Sequence, residues 1–147
     1  LDDEASKKHI SIISDNDDPD NDDPDTGPKQ ELIISANRNR IKQVLINLIE
    51  NAVRYNVSEG KVFVEAKRTA DGRLEITVRD TGCGISQEHL PRIFERFYRV
   101  DKGRSRELGG TGLGLSIVKH IAMLYKGSVS AQSNLGEGTV IKVVLDA

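Results

Sequence analysis

The chain has 147 residues, of which 37% are apolar and 30% charged, a balance typical of a single globular domain with its own core. No apolar run approaches the roughly 20 residues of a membrane span, and there is no cluster of Cys and His for zinc. The single cysteine excludes a disulfide within the chain and fits a reducing, cytoplasmic compartment. The net charge of −2 divides unevenly, because residues 1–36 carry eleven acidic and three basic side chains whereas residues 37–147 carry twelve and eighteen, which suits an anionic ligand.

The first part of the chain is dominated by an acidic segment at 15–28, DNDDPDNDDPDTGP. Its first eleven residues are all Asp, Asn or Pro, so the pattern predicts a solvated, mobile loop. The glycine and the distal glutamate of a calcium-binding loop are missing at their required spacing. Short strands are predicted before and after this loop, at 9–14 (HISIIS) and 32–35 (LIIS).

The patterns after this point predict a helix and two strands, a long irregular stretch, and then another helix and two strands. A helix is predicted to begin near Asn37, a good N-cap residue, and its apolar side chains have the spacing of one buried face: Ile41, Val44, Leu45, Leu48, Ile49 and Ala52. The remaining predicted elements are strands at 61–68 and 73–80 around a TADG turn, a helix at 116–125 ending at Gly127, and strands at 128–133 and 139–146. This order predicts an α/β sandwich of two layers rather than a doubly wound sheet.

Three polar side chains of NLIENAVRY, residues 47–55, share one stripe of the predicted helix. Asn47, Asn51 and Arg54 are spaced i, i+4 and i+7 beside the apolar face, and asparagines inside a helix cost stability. An asparagine oxygen can ligate Mg²⁺, and an arginine can bind a phosphate. A polar stripe that simply faces solvent explains the same spacing equally well.

The segment DTGCGI, residues 80–85, places an aspartate at a strand end before two glycines. Asp80 at the mouth of the sheet can accept a hydrogen bond from a purine amino group, and Gly82 and Gly84 let a base approach the backbone. Taken alone, the segment is more typical of an ordinary Asp-Gly turn. We interpret Cys83, between the glycines, as a small apolar filler, because no base lies near it in the sequence.

Two further segments, IFERFYRVDKGRSREL (93–108) and GGTGLGL (109–115), precede the second helix. Aromatic and arginine side chains in the first are compatible with single-stranded nucleic acid. Its acidic residues and a pI of about 5.9 argue against a direct nucleic-acid interface. The glycines of the second fit neither the G-x-G-x-x-G fingerprint nor a P-loop. They predict a flexible hinge that leads into a helix N-terminus, where a phosphate can bind.

In this order, NLIENAVRY, DTGCGI, FERFYRV and GGTGLGL resemble the N, G1, F and G2 boxes of the catalytic ATP-binding domain of bacterial sensor histidine kinases. The string FERFYRVDKGRSRELGGTGLGLSIVKHI is most similar to membrane sensors of the phosphate-starvation and cell-wall group. The resemblance implies a Bergerat fold, a mixed sheet covered on one face by helices. ATP would lie between the N-box helix and a lid at about 97–113, and the acidic loop at 15–28 has no counterpart in the family pattern.

The resemblance also implies roles for individual residues. Asn51, with Asn47 nearby, would hold Mg²⁺, and Arg99 would reach the phosphates. Glu50 stands where the family often has an acidic residue that orients or deprotonates the phosphoacceptor histidine. Asp80 would bind the adenine amino group. The other implied nucleotide contacts are Arg54, Tyr55, Gly82, Gly84, Ile85, Tyr98, Gly110, Thr111, Gly112, Leu113, Gly114, Leu115 and Thr139.

None of the three histidines, His9, His89 and His120, lies in an H-E/D-x-x-T-P-like phosphoacceptor sequence. The resemblance therefore implies a catalytic domain, monomeric by itself, that phosphorylates the dimerisation domain of the same membrane-anchored kinase. A response regulator would act downstream. An alternative is a nucleotide-controlled binding module of the same fold without phosphotransfer. Hydrolysing ATPases of the gyrase and heat-shock chaperone group usually carry Glu where Asn47 stands, which argues against that class.

Overall fold

The computed structural model describes residues 11–14, 36–98 and 114–147. Its elements are β1 (Ser11–Ser14), α1 (Arg38–Arg54), β2 (Lys61–Arg68), β3 (Leu74–Asp80), a 3₁₀-helix (Leu90–Arg92), α2 (Gly114–Leu124), β4 (Ser128–Asn134) and β5 (Gly138–Leu145). The predicted acidic loop at 15–28, the predicted strand at 32–35 and most of the predicted lid lie outside the described residues. No helix in the described ranges is long and apolar enough to cross a membrane.

The strands form one mixed sheet in the order β1-β2-β3-β5-β4. β1 runs parallel to β2, and all other neighbouring strands are antiparallel. In this register Asp80, the last residue of β3, lies directly opposite Thr139 at the start of β5. Thr139 in turn lies opposite Ser133 of β4. The sheet therefore brings three polar residues from three strands to one end of the molecule.

The two helices pack on one face of the sheet and enclose the core, as the two-layer prediction requires. Alternate residues of β3 and β5 point toward the helices and are almost fully buried: Leu74, Ile76, Val78, Ile141, Val143 and Leu145. From the helices, Val44 and Leu48 of α1 and Val118 of α2 are completely buried in the same cluster. Burying one such side chain contributes about 1.5–3 kcal/mol, so this layer of contacts holds α1 firmly against the sheet.

The opposite face of the sheet is polar. Glu75 on β3 lies between two lysines, with its carboxylate oxygens 3.0 Å from Lys142 Nζ and 3.7 Å from Lys67 Nζ. The hydrogen bond from Lys142 is the main cause that lowers the pKa of Glu75 below its ordinary value. Arg79 stacks over the Phe63 ring, 4.3 Å from its centroid. Charged side chains on this face therefore pair with each other while the helix-covered face stays apolar.

Both ends of α1 are fixed by side-chain hydrogen bonds. Asn37 is the N-cap, as predicted, and its Oδ1 accepts from the backbone N–H of Asn39 at 2.9 Å and of Arg40 at 3.3 Å. Beyond the C-terminus, the buried Asn56 donates from Nδ2 to Lys61 O at 3.0 Å, and its Oδ1 accepts from Val57 N at 2.9 Å. These bonds set the position of α1 relative to the start of β2.

Candidate nucleotide-binding site

The carboxylate of Asp80 is the centre of the candidate site. It is only 7% exposed, and its Oδ1 accepts two backbone hydrogen bonds, from Gly82 N at 2.9 Å and from Thr139 N at 3.2 Å. Among the described residues, no donor is bonded to the second oxygen, Oδ2. One oxygen is therefore held by the fold, and the other remains available as an acceptor.

The surroundings of Asp80 also perturb its acidity. Burial raises the pKa of Asp80 above the ordinary carboxylate value, and the two backbone hydrogen bonds partly offset that effect. Buried carboxylates with a perturbed pKa are characteristic of functional sites. Removing such a group from water lowers the stability of the folded protein without an evident structural benefit.

The two glycines that follow Asp80 are required by close backbone approaches. A Cβ at Gly82 would lie 2.3 Å from the carbonyl oxygen of Tyr55 and 2.9 Å from Asp80 Oδ1. Gly84 has a φ of +76°, and a Cβ there would lie 2.2 Å from the carbonyl oxygen of Asn134. No side chain fits at either position, so the loop passes tightly between the end of α1 and the β4–β5 turn.

Cys83 lies in this loop and is exposed, so our interpretation of it as an apolar filler is wrong. Its backbone N–H donates to the carbonyl oxygen of Tyr55 at 3.3 Å, and its thiol donates to the same oxygen at 3.6 Å. Its own carbonyl accepts from Gly136 N at 2.8 Å. The backbone of Cys83, rather than its side-chain volume, links the loop to α1 and to the β4–β5 turn.

Ser133 completes the polar group at this end of the sheet. It is 8% exposed, and its Oγ accepts from Ile85 N at 2.7 Å and donates to the carbonyl oxygen of Gly138 at 2.8 Å. The same Oγ lies 3.0 Å from Thr139 Oγ1. Ser133 was not predicted from the sequence, although a polar residue at an inward position of β4, after Val129 and Ala131, was a signal that could have identified it.

The polar stripe of α1 is half-buried rather than fully exposed. Asn47, Asn51 and Arg54 all belong to α1, together with the half-buried Glu50. Nδ2 of Asn47 is buried without a hydrogen-bond partner among the described residues. A Cβ at Gly114 would lie 3.9 Å from the side chain of Asn47, so α2 begins against this amide. An unpaired buried amide costs about 1–3 kcal/mol, which favours a cleft that takes a ligand over a solvated stripe.

The segment before Arg99 is built around Tyr98. The Tyr98 hydroxyl is hydrogen-bonded to His89 Nδ1, and the guanidinium of Arg92 lies 4.5 Å from the centre of its ring. Ile93 is buried, whereas Phe97 is 64% exposed and has a φ of +63°. The contact with His89 was not predicted, because nothing in the local sequence pattern relates residues nine positions apart in an irregular segment.

Apart from Tyr98, the described members of the predicted site fall into two groups. The first surrounds the end of β3 and comprises Tyr55, Asp80, Gly82, Gly84, Ile85 and Thr139. The second begins where Asn47 of α1 lies against the start of α2 and continues along α1; it comprises Asn47, Glu50, Asn51, Arg54, Gly114 and Leu115. The remaining predicted residues, Arg99, Gly110, Thr111, Gly112 and Leu113, lie outside the described residues.

The chain is similar in sequence to known proteins. A family model described as histidine kinase-, DNA gyrase B- and HSP90-like ATPase matches residues 36–147. The sensor histidine kinase YkoH of Bacillus subtilis (strain 168) is 47% identical over 113 residues, which is 77% of this chain and 24% of YkoH. The sensor-like histidine kinase SenX3 of Mycolicibacterium smegmatis is 46% identical over 95 residues, which is 65% of this chain and 24% of SenX3. The chain thus spans about a quarter of the length of these relatives.

Solved structures of other proteins have a similar fold. Full-length ShkA in complex with AMPPNP has a TM-score of 0.74 and 29% identity, over 97% of this chain and 27% of ShkA. The nucleotide-free catalytic domain of the histidine kinase ThkA has a TM-score of 0.71 and 28% identity, over 98% of this chain and 84% of that domain. The predicted Bergerat fold and the predicted resemblance to sensor histidine kinases are confirmed. The chain belongs to the family of histidine kinase-, DNA gyrase B- and HSP90-like ATPases.

Proposed function

We propose that this chain is the catalytic ATP-binding domain of a sensor histidine kinase, which transfers the γ-phosphoryl group of ATP to a histidine on a separate dimerisation domain. The observation that carries the proposal is the buried carboxylate of Asp80, with Oδ1 held by backbone donors and Oδ2 without a described partner. The match to sensor kinases such as YkoH, with Asn47 where hydrolysing relatives usually carry Glu, supports phosphotransfer over hydrolysis.

Asp80 recognises the adenine base in this proposal. Its Oδ2 accepts a hydrogen bond from the 6-amino group, and burial makes that bond strong because little water competes for the carboxylate. Gly82 and Gly84 let the loop lie directly against Tyr55 O and Asn134 O, and this packing holds the loop beside Asp80. Tyr55, which is half-buried directly after α1, would contact the base.

The triphosphate end lies along α1 and the start of α2. The amides of Asn47 and Asn51 are one helical turn apart and supply oxygen ligands that suit Mg²⁺. Within the described residues there is no group of three His, Cys, Asp or Glu side chains that could hold a metal, so amide and phosphate oxygens would complete its coordination. Mg²⁺, when bound, would neutralise charge on the phosphates.

Further groups act on the phosphates and on the acceptor. Arg54 and Arg99 would bind phosphate oxygens, and the N-terminus of α2 at Gly114 and Leu115 would offer backbone donors and its positive dipole end. Gly110, Thr111, Gly112 and Leu113 would cover the phosphates as part of a lid, and Tyr98 would lie at the base of that lid. Glu50 would orient or deprotonate the phosphoacceptor histidine.

The same proposal covers the partners. The chain would act as a monomeric domain of a membrane-anchored, cytoplasm-facing kinase, with the dimerisation domain of that kinase as its substrate and a response regulator as the next phosphate acceptor. This chain spans about a quarter of the length of YkoH and SenX3, and the rest of such a protein can contain these additional domains.

The experiment combines binding with transfer. Isothermal titration of the chain with Mg-ATP should give saturable binding, and γ-labelled ATP should transfer label to the added dimerisation domain but not to the chain alone. The label should be stable to alkali and labile to acid, as phosphohistidine is. An Asn51→Ala variant should lose transfer, whereas Asn39→Ala, on an exposed part of the same helix, should retain it. Binding without any transfer would instead favour a nucleotide-controlled binding module.

A further inference from the structure

We infer that Ser133 determines base specificity by fixing the hydroxyl hydrogen of Thr139, so that the side chains of Asp80 and Thr139 offer only acceptors to the base. The pocket then selects a 6-amino purine and disfavours a 6-oxo purine. This inference rests on the proposed function, because it assumes that a purine nucleotide binds at Asp80. Ser133 acts through Thr139 and is therefore a positioning residue.

The hydrogen bonds of Ser133 leave one possible arrangement of hydrogens. Its Oγ carries a single hydrogen, and the carbonyl oxygen of Gly138, 2.8 Å away, can only accept. The backbone N–H of Ile85, 2.7 Å away, can only donate. The hydrogen of Ser133 therefore goes to Gly138, and the remaining contact, at 3.0 Å, must be a donation from Thr139 Oγ1 to Ser133 Oγ.

This arrangement decides what Thr139 presents to a ligand. Its only hydroxyl hydrogen is used by Ser133, so its Oγ1 is left with lone pairs and can act only as an acceptor. Thr139 lies directly opposite Asp80 on the neighbouring strand, on the same face of the sheet, and its N–H is bonded to Asp80 Oδ1. Two acceptors, Asp80 Oδ2 and Thr139 Oγ1, therefore stand side by side.

Burial makes the direction of these hydrogen bonds important for base binding. Asp80, Ser133 and Thr139 are 7%, 8% and 5% exposed, so solvent cannot readily reverse the direction of their hydrogen bonds. A 6-amino group brings two hydrogens to such a pair of acceptors. A 6-oxo group brings none and would face two acceptors without a donor, which is the arrangement that gives strong discrimination at buried polar sites.

The test compares ATP with inosine triphosphate, which has the same ribose and triphosphate but a 6-oxo group. Dissociation constants are measured by titration calorimetry in Mg²⁺ for the wild type, Ser133→Ala, Thr139→Val and the double variant. Ser130→Ala is the matched control, because Ser130 is an exposed serine of the same strand. Circular dichroism establishes that each variant is folded.

Ser133→Ala should reduce the preference for ATP over inosine triphosphate by about three- to tenfold, the equivalent of one neutral hydrogen bond. The hydroxyl of Thr139 can then turn and donate to the 6-oxo group. Thr139→Val should reduce the preference as well, and adding Ser133→Ala to it should cause no further change, because the two residues act through one hydrogen. Ser130→Ala should leave the preference unchanged.

Equal weakening of both nucleotides in Ser133→Ala would overturn the inference and assign Ser133 a purely structural role. Additive effects in the double variant would overturn it too. If Ser133→Ala does not fold, Thr139→Val alone decides, and an unchanged preference there is the contrary result. Failure of the wild type to bind Mg-ATP at all would instead refute the proposed function, so the two failures are distinguishable.

Discussion

Replacing Asp80 with asparagine separates the ligand-binding role of this residue from its contribution to stability. The side chain keeps its shape, and the amide oxygen of asparagine can still accept from Gly82 N and Thr139 N, which lie 2.9 and 3.2 Å from Oδ1 in the wild type. The amide nitrogen then takes the place of Oδ2. Asp80→Asn therefore retains the local hydrogen bonds but presents a donor where the base needs an acceptor.

The expected effect on binding follows from the loss of one charge-assisted hydrogen bond. Such a bond is worth about 1.5–3 kcal/mol, so the affinity for ATP should fall by about 10- to 150-fold. The opposite is expected for stability. Because burial raises the pKa of Asp80, ionisation opposes folding, and stability is lost as the pH rises from the ordinary carboxylate pKa through the raised one. Asparagine has no such loss, so the variant should be at least as stable as the wild type at neutral pH.

Calorimetric titration with Mg-ATP and thermal unfolding across a range of pH measure the two effects. The unfolding temperatures of the wild type and Asp80→Asn should converge below the ordinary carboxylate pKa, where Asp80 is protonated in both the folded and the unfolded states. Asp71→Asn is the control, because Asp71 is an exposed carboxylate of the β2–β3 turn and should not affect ATP affinity. Wild-type affinity in Asp80→Asn would refute the adenine assignment, and a strongly lowered unfolding temperature at neutral pH would refute the argument from burial.

Three further predictions concern the packing around the site. Gly82→Ala should lower both the unfolding temperature and ATP affinity, because its Cβ would lie 2.3 Å from Tyr55 O; calorimetry showing wild-type values for both would contradict this. Leu48→Ala should lower the free energy of unfolding by about 2–5 kcal/mol in urea titrations, since Leu48 is completely buried; a loss below about 1 kcal/mol would show that the site collapses around the cavity. Glu75→Gln should be less stable than the wild type at neutral pH, and the difference should vanish as the pH falls through the lowered pKa of Glu75; a difference independent of pH would contradict the ion pairing with Lys142.

The sequence by itself determined the faces of the elements. Residues with helical spacing in α1, such as Val44 and Leu48, and alternating residues in β3, such as Ile76, are buried as predicted. The N-cap at Asn37 was also predictable, because its side chain bonds only to residues two and three positions ahead. Each of these features depends on a repeat or on near neighbours in the chain, which is the information that a local pattern contains.

The segment DTGCGI drew attention to Asp80 and its glycines, but taken alone it is more typical of an ordinary Asp-Gly turn, and their proposed roles came from the resemblance to sensor histidine kinases. It did not reveal why Gly82 must be glycine, because the atoms that exclude a side chain there belong to Tyr55 at the end of α1. It also led to a wrong interpretation of Cys83, whose exposure depends on how the loop lies against its neighbours.

Only the tertiary structure decided the hydrogen bonding that gives Asp80 and Thr139 their chemical character. Thr139 is 59 residues from Asp80 in sequence, and the two meet because β5 inserts between β3 and β4 in the sheet. The same register places Ser133 opposite Thr139, with their hydroxyl oxygens 3.0 Å apart. Alternation along a strand specifies which side chains point inward, but it does not specify which strand lies alongside, because pairing is chosen by the packing of the whole sheet under the helices.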